Sequence, residues 1–189
     1  IVLRNCGLID PTDIASYITR DGFLGLGKAL AMTPEQVIEE VKASGVRGRG
    51  GAGFPAGMKL EMARKSPGDE KYVICNADEG EVGTFKDRYL IQNDPFTLVE
   101  GVAIASHAVG SKQAFIYLRA EYHYLLSTLQ GALDQARDNG YLRHVNITIR
   151  EGAGAYVCGE ESALMDSIEG KRGEARYRPP FPTNAGLWR

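Results

Sequence analysis

Several things are scarce in these 189 residues. There are three cysteines, Cys6, Cys75 and Cys158, and three histidines, His107, His123 and His144. No C-x-x-C pair occurs, so neither a zinc site nor a disulfide framework is written here, and no metal-ligating set is expected. An iron–sulfur cluster ordinarily takes four thiolates. If electrons pass through this protein, the cluster that receives them belongs to a partner chain or to a segment outside this sequence. Positive charge is not in excess either: 22 Lys and Arg stand against 24 Asp and Glu. That balance excludes the sequence-wide positive field that draws nucleic acid or anionic lipid. No uninterrupted apolar run approaches the ~18 residues of a spanning helix, and the first residues lack the basic and apolar regions of a signal peptide. The expectation is a cytoplasmic protein, or one on the cytoplasmic or matrix side of a membrane complex, without direct membrane insertion.

What is present is a chain able to fold. With 43% hydrophobic residues it can bury a core. Residues 1–32 read as a small helical prelude, and 33–189 as the α/β body. Thr33, Pro34 and Gln36 open a helix as N-cap, N1 and N3, with Val37, Ile38 and Val41 as its apolar stripe. Helical composition returns from Pro55 to Lys65. Strands are expected at 71–75, 113–118 and 146–150, and helices at 95–109, 122–139 and 160–168. This alternation predicts a Rossmann-like α/β sandwich with a largely parallel sheet. From Gly170 the chain, rich in Arg and Pro, reads as extended.

Glycine, 23 residues in all, is concentrated in two loops. The first, Gly48 to Gly53, has dinucleotide-binding spacing at Gly48, Gly50 and Gly53 but follows a helix where the Rossmann fingerprint needs a strand. Its amides, with Arg47, Arg49 and Lys59 nearby, suit a phosphate; a tight helix-to-helix connection explains it equally. No Gly-Lys-Ser/Thr follows, which disfavours a P-loop hydrolase. The second loop, Gly152 to Gly159, lies between a strand and a helix, the context of a nucleotide or flavin site, with Glu160 and Glu161 in the first turn. A carboxylate beside an adenosine ribose binds its hydroxyls and repels a 2′-phosphate, which favours NAD over NADP. Between the loops, Asn76, Asp78, Glu79, Gly80 and Glu81 end the first strand. They suit ribityl or ribose hydroxyls, and equally form an ordinary polar turn. Phe54 and Phe181 offer aromatic faces to an adenine or serve plain packing. Cys158 reads as a small buried hydrophobe.

In order along the chain stand Arg47-Gly-Arg-Gly-Gly-Ala-Gly-Phe-Pro55 with Lys59, Asn76-Ala-Asp-Glu-Gly80, Gly152-Ala-Gly-Ala-Tyr-Val-Cys-Gly-Glu-Glu161, Glu169-Gly170 and Pro179-Pro-Phe-Pro182. Together they resemble the FMN- and NADH-binding subunit of respiratory complex I, a module shared with NAD-linked hydrogenases and formate dehydrogenases. The resemblance covers roughly residues 40–189. It implies that Gly48, Arg49, Gly50, Gly51 and Lys59 hold the FMN phosphate and its surroundings. Asn76, Asp78, Glu79 and Gly80 would meet the ribityl chain and ring edge, and Tyr156, Gly159, Glu160 and Glu161 would sit beside flavin and nicotinamide. Phe54 and Phe181 would clamp adenine. Glu81 and Glu161 would stand closest to the chemistry, hydride transfer from NADH to FMN followed by single-electron release to iron–sulfur centres on other subunits of a redox complex. Met62 stands where the family often has a further aromatic. A non-catalytic nucleotide-binding or assembly subunit of such a complex is the alternative, and a related ion-pumping reductase a third reading.

Overall fold

The computed structural model describes residues 1–188. Four helices precede the sheet: α1 (Ile14–Ile18), α2 (Leu24–Leu30), α3 (Pro34–Ala43) and α4 (Ala56–Lys65). The expected signals open α3. Thr33 Oγ accepts from the Gln36 amide and the Gln36 side chain accepts from the Thr33 amide, a complete capping box with Pro34 in the first turn. Strands β1 (Tyr72–Ala77), β2 (Gln113–Leu118) and β3 (Asn146–Glu151) then form one parallel sheet in the order β1-β2-β3. Parallel neighbours require crossovers. The first is α5 (Lys86–Asn93) with α6 (Pro95–Val109), and the second is a 3-10 turn (Ala120–Leu125) running into α7 (Leu126–Asp138). After β3 comes α8 (Glu161–Ile168).

Side chains of a strand alternate between faces, so the sheet carries two cores. Ala114, Ile116, Leu118 and Ile147 face the first, with Phe96, Val99 and Ala103 of α6 and Leu129 and Leu133 of α7. Phe115 and Tyr117 face the second, against Cys158, Leu164, Met165 and Ile168 around α8 and Leu187 from the tail. Helices on both faces make this the expected α/β sandwich, and Cys158 is the buried hydrophobe its position suggested.

Two elements differ from the sequence reading. The expected single helix over 122–139 begins as a 3-10 turn, with Tyr122 in a non-helical conformation, before α7 proper. Helix α5 carried no local start signal, because its cap comes from elsewhere: the Glu79 carboxylate accepts from the Asp87 and Arg88 amides. The prelude meets no break in packing at 32/33. Tyr17, Phe23 and Leu26 lie in the same core as the sheet. Glu100, buried in the middle of α6, accepts from Tyr17 Oη and from the Phe23 and Leu26 amides at the start of α2. A Cβ on Gly25 would come within 2.9 Å of Glu100 Oε1.

Candidate functional site

The first glycine loop is closed at its neck and open beyond it. Arg47 and Pro55 form an isolated antiparallel bridge, the Gly48 amide donates to Phe54 O at 2.9 Å, and Arg47 Nη1 donates to Gly53 O at 3.1 Å. Among the described residues, the amides of residues 49 to 53 make no intramolecular hydrogen bond. Space is equally free. A Cβ built on Gly50, Gly51 or Gly53 meets nothing within 4 Å, while the positive φ of Gly51 (105°) and Gly53 (61°) favours glycine whatever the space. Helix α4 begins directly after the loop.

The end of β1 lies at the carboxyl edge of the sheet. Asn76 Oδ1 accepts from the Asp78 amide, and Asn76 Nδ2 donates to Gly159 O at 2.9 Å, tying this strand end to the second loop. Asp78 Oδ2 is buried and has no hydrogen-bond partner among the described residues. Burial pushes its carboxyl above the usual range, against the pull of the Arg119 guanidinium. Glu79 is different. Its carboxylate accepts from the Asp87 amide (3.0 Å), the Arg88 amide (3.3 Å) and Tyr122 Oη (2.9 Å), and its carbonyl accepts from Arg119. Burial works to raise its pKa, but these donors outweigh it and leave the carboxyl below its ordinary value. Glu81 is exposed and accepts from Tyr156 Oη at 2.8 Å, which raises the pKa of that phenol. The Tyr156 ring lies over Gly80, where a Cβ would come within 3.0 Å of it.

The second loop is supported at its two ends, while a Cβ on Gly154 between them would meet nothing within 4 Å. A Cβ on Gly152 would sit 2.9 Å from Tyr117 Oη, itself hydrogen-bonded to Ser167 at 2.8 Å, and one on Gly159 would sit 3.3 Å from Asp78 O. Glu160 is the N-cap of α8: one carboxylate oxygen takes the Ser162 and Ala163 amides at 2.9 and 3.0 Å, and the other takes Arg178. Burial opposes ionisation of Glu160, and the Ser162 hydroxyl, the two amides and Arg178 more than reverse that, so its pKa is lowered. Glu161 lies between two cations, Lys59 Nζ at 3.2 Å and Arg178 Nη2 at 2.9 Å.

The chain therefore brings its separated motifs together. Lys59, in the first turns of α4 beyond the first loop, reaches Glu161 at the start of α8; Gly159 reaches Asn76; and Tyr156 reaches Glu81. Phe54 and Phe181 are both about half exposed. Phe54 precedes the first turn of α4, whereas the segment after Phe181 is held through Ser66, the C-cap, which donates to Thr183 O. Three members of this region carried no sequence signal. Arg178, Arg119 and Tyr122 are recognisable only from their contacts, because each acts on a residue at least 18 positions away.

Residues 41–188 match the family model of the Nuo51 FMN-binding domain. The chain belongs to that family. Over its full length it is 47% identical to the NADP-reducing hydrogenase subunit HndC of Solidesulfovibrio fructosivorans, covering 40% of that protein. It is 45% identical to an NADH-quinone oxidoreductase subunit of Rhizobium meliloti, with all of this chain and 47% of that one covered. A crystal structure of an NAD+-reducing [NiFe]-hydrogenase in the H2-reduced state matches 80% of this chain and 27% of the hydrogenase chain, with 47% identity and a TM-score of 0.75. The chain thus spans less than half the length of either curated relative. None of its described helices is long and apolar enough to cross a membrane.

Proposed function

We propose that this chain is the FMN- and nicotinamide-binding part of an NADH:acceptor oxidoreductase subunit that works within a larger redox complex. The observation that carries this reading is the convergence of three motifs, far apart in sequence, on one edge of the sheet, linked by Lys59 to Glu161 and Asn76 to Gly159. The residues fit a flavin mononucleotide. Five consecutive amides without an internal acceptor, in a loop whose glycine positions open onto free space, make a cradle for a phosphate. Arg49 and Lys59 supply cationic charge beside that cradle. Asp78 Oδ2, a buried acceptor with no donor of its own, suits a ligand hydroxyl.

Bound FMN supplies the chemistry, accepting electrons in pairs from a reduced nicotinamide and releasing them one at a time to an acceptor. The protein's part is to bind, orient and set charge. Gly159 and Gly80 keep side-chain bulk away from the facing walls, one against Asp78 O and the other beneath Tyr156. Glu161, neutralised by Lys59 and Arg178, and Glu81, tied to Tyr156, both take part in the contacts that join the motifs. With three cysteines in the chain, the iron–sulfur centres that drain the flavin are assigned to partner subunits or to the rest of a longer protein.

Relatives bear names that specify NADP in one case and NADH in another, so nicotinamide preference is tested together with flavin binding. The full-length protein, stripped of flavin and titrated with FMN, is expected to bind one equivalent and then to bleach on addition of NADH in preference to NADPH. Failure of the wild-type protein to take up FMN would leave only a nucleotide-binding or assembly role.

A further inference from the structure

Resting on that reading, we propose that Glu79 is a positioning residue, which fixes Asp78 and Glu81 by clamping the turn between them to α5 and Tyr122. The resemblance places Glu79 among the residues that touch the flavin side chain. Its surroundings assign it other work. Glu79 is 6% exposed, and three donors, two amides of the first turn of α5 and the Tyr122 hydroxyl, already occupy three of the about four acceptor positions of its carboxylate. A carboxylate at the N-terminus of a helix is also favoured by the helix dipole. With 6% of the residue exposed, little of Glu79 is left for a ligand hydroxyl to reach, and displacing any of the three buried donors would leave it without an acceptor, which is unfavourable.

The neighbours of Glu79 show what the clamp holds. Asp78, immediately before it, carries the orphan oxygen; Glu81, two residues after it, reaches Tyr156 of the second loop. The carbonyl of Glu79 is held from the far side by Arg119, which is itself fixed by a two-pronged contact with Glu121 at 2.8 and 2.9 Å. Side chain and main chain of one residue are thus anchored to α5, the 3-10 turn and the end of β2. The turn has little freedom left, and Asp78 and Glu81 are presented from a fixed backbone. Tyr122 is 7% exposed and its hydroxyl donates to Glu79, while its ring lies under the Arg119 guanidinium, 5.8 Å from it, so a change confined to the hydroxyl acts on this arrangement through Glu79.

That geometry gives the test, made on the full-length protein with FMN as the probe. Tyr122→Phe removes one donor without touching the site. It is expected to weaken FMN binding by about tenfold, the scale of one hydrogen bond to a charged group. Glu79→Gln is expected to weaken it by at least as much, and the double variant to bind no more weakly than Glu79→Gln alone, because both changes break one clamp. The absorption spectrum of bound flavin should shift in the same way in all three. Wild-type affinity in Tyr122→Phe with weak binding in Glu79→Gln would make Glu79 a direct ligand and overturn the proposal. Lowered melting temperatures with unchanged FMN affinity in both variants would also overturn it. If Glu79→Gln does not fold, Tyr122→Phe alone decides between these outcomes. Absence of FMN binding by the wild-type protein would instead remove the functional reading itself.

Discussion

The two glycine-rich loops look alike in sequence and differ in what their glycines answer to. In the second loop Gly152 makes room for the Tyr117 hydroxyl and Gly159 for the carbonyl of Asp78. In the first, Gly50, Gly51 and Gly53 face nothing within 4 Å, and the amides of residues 49 to 53 have no internal acceptor. The second loop is packed at its two ends and open at its middle, where a Cβ on Gly154 would meet nothing within 4 Å. The first is open from Gly50 to Gly53, and under the proposed function that opening receives a phosphate. Glycine therefore marks close approach of the chain to itself at the ends of the second loop and, under the proposed function, of a ligand to the chain in the first.

The largest expected effect breaks the packed loop. Gly152→Ala places a Cβ 2.9 Å from Tyr117 Oη and about as close to the ring, so the β3 end or Tyr117 must move. Overpacking of this kind costs ~1–3 kcal/mol, measurable as a lower urea midpoint with the slope unchanged. Tyr117→Phe should partly restore Gly152→Ala, since it removes the nearest atom; strict additivity of the two losses would show that the clash lies elsewhere.

Next comes the open loop. Gly50→Ala meets no neighbour and its φ is not positive, so unfolding free energy should stay within ~0.5 kcal/mol of wild type. FMN affinity of the full-length protein should nevertheless fall about tenfold, because the new methyl group stands where a phosphate must approach the amides. A variant that loses stability but keeps its flavin affinity would abolish the contrast between the loops.

Much of this was legible beforehand. The capping box at Thr33, the strand over 113–118 and the crossover helix over 95–109 all rest on local signals, and local signals survive into the fold. The site was legible as motifs but not as geometry. The strand–loop–helix context of the second loop singled out its glycines, and only coordinates place Tyr117 against Gly152 and Asp78 against Gly159. Helix α5 escaped because its cap, Glu79, comes from outside the helix and its own first residues carry no apolar period. Arg178 escaped because an arginine in a proline-rich tail has no pattern that points to a helix N-terminus 18 residues earlier.

Glu160 gives a smaller effect that separates cap from ligand. Glu160→Ala removes the N-cap of α8 and should cost ~1 kcal/mol. The Glu160 carboxyl is held below its ordinary value in the folded state. Its contribution to stability is therefore present above the unfolded-state pKa and is lost as pH falls through the lower folded-state value, a window below about pH 4.3. Stability curves of wild type and Glu160→Ala should converge in acid. If Glu160 also meets an adenosine ribose, the same variant should raise NADPH use relative to NADH, measured as the ratio of kcat/KM values; an unchanged ratio would leave it a cap alone.

The smallest effect on stability is expected at Lys59, where the two loops are joined. The Lys59–Glu161 pair is largely exposed, and such pairs contribute ~0–1 kcal/mol. Lys59→Gln should thus barely move the melting temperature. Its effect on FMN affinity should be larger and should shrink as salt is raised, because what is lost is attraction to a phosphate and not support for the fold. The removal also frees Glu161 from one of its two cations, leaving Arg178 as its remaining partner. If Lys59→Gln lowers stability by several kcal/mol while FMN binding keeps its salt dependence, the lysine is a strut between α4 and α8, and the open loop has lost the cation that distinguishes it.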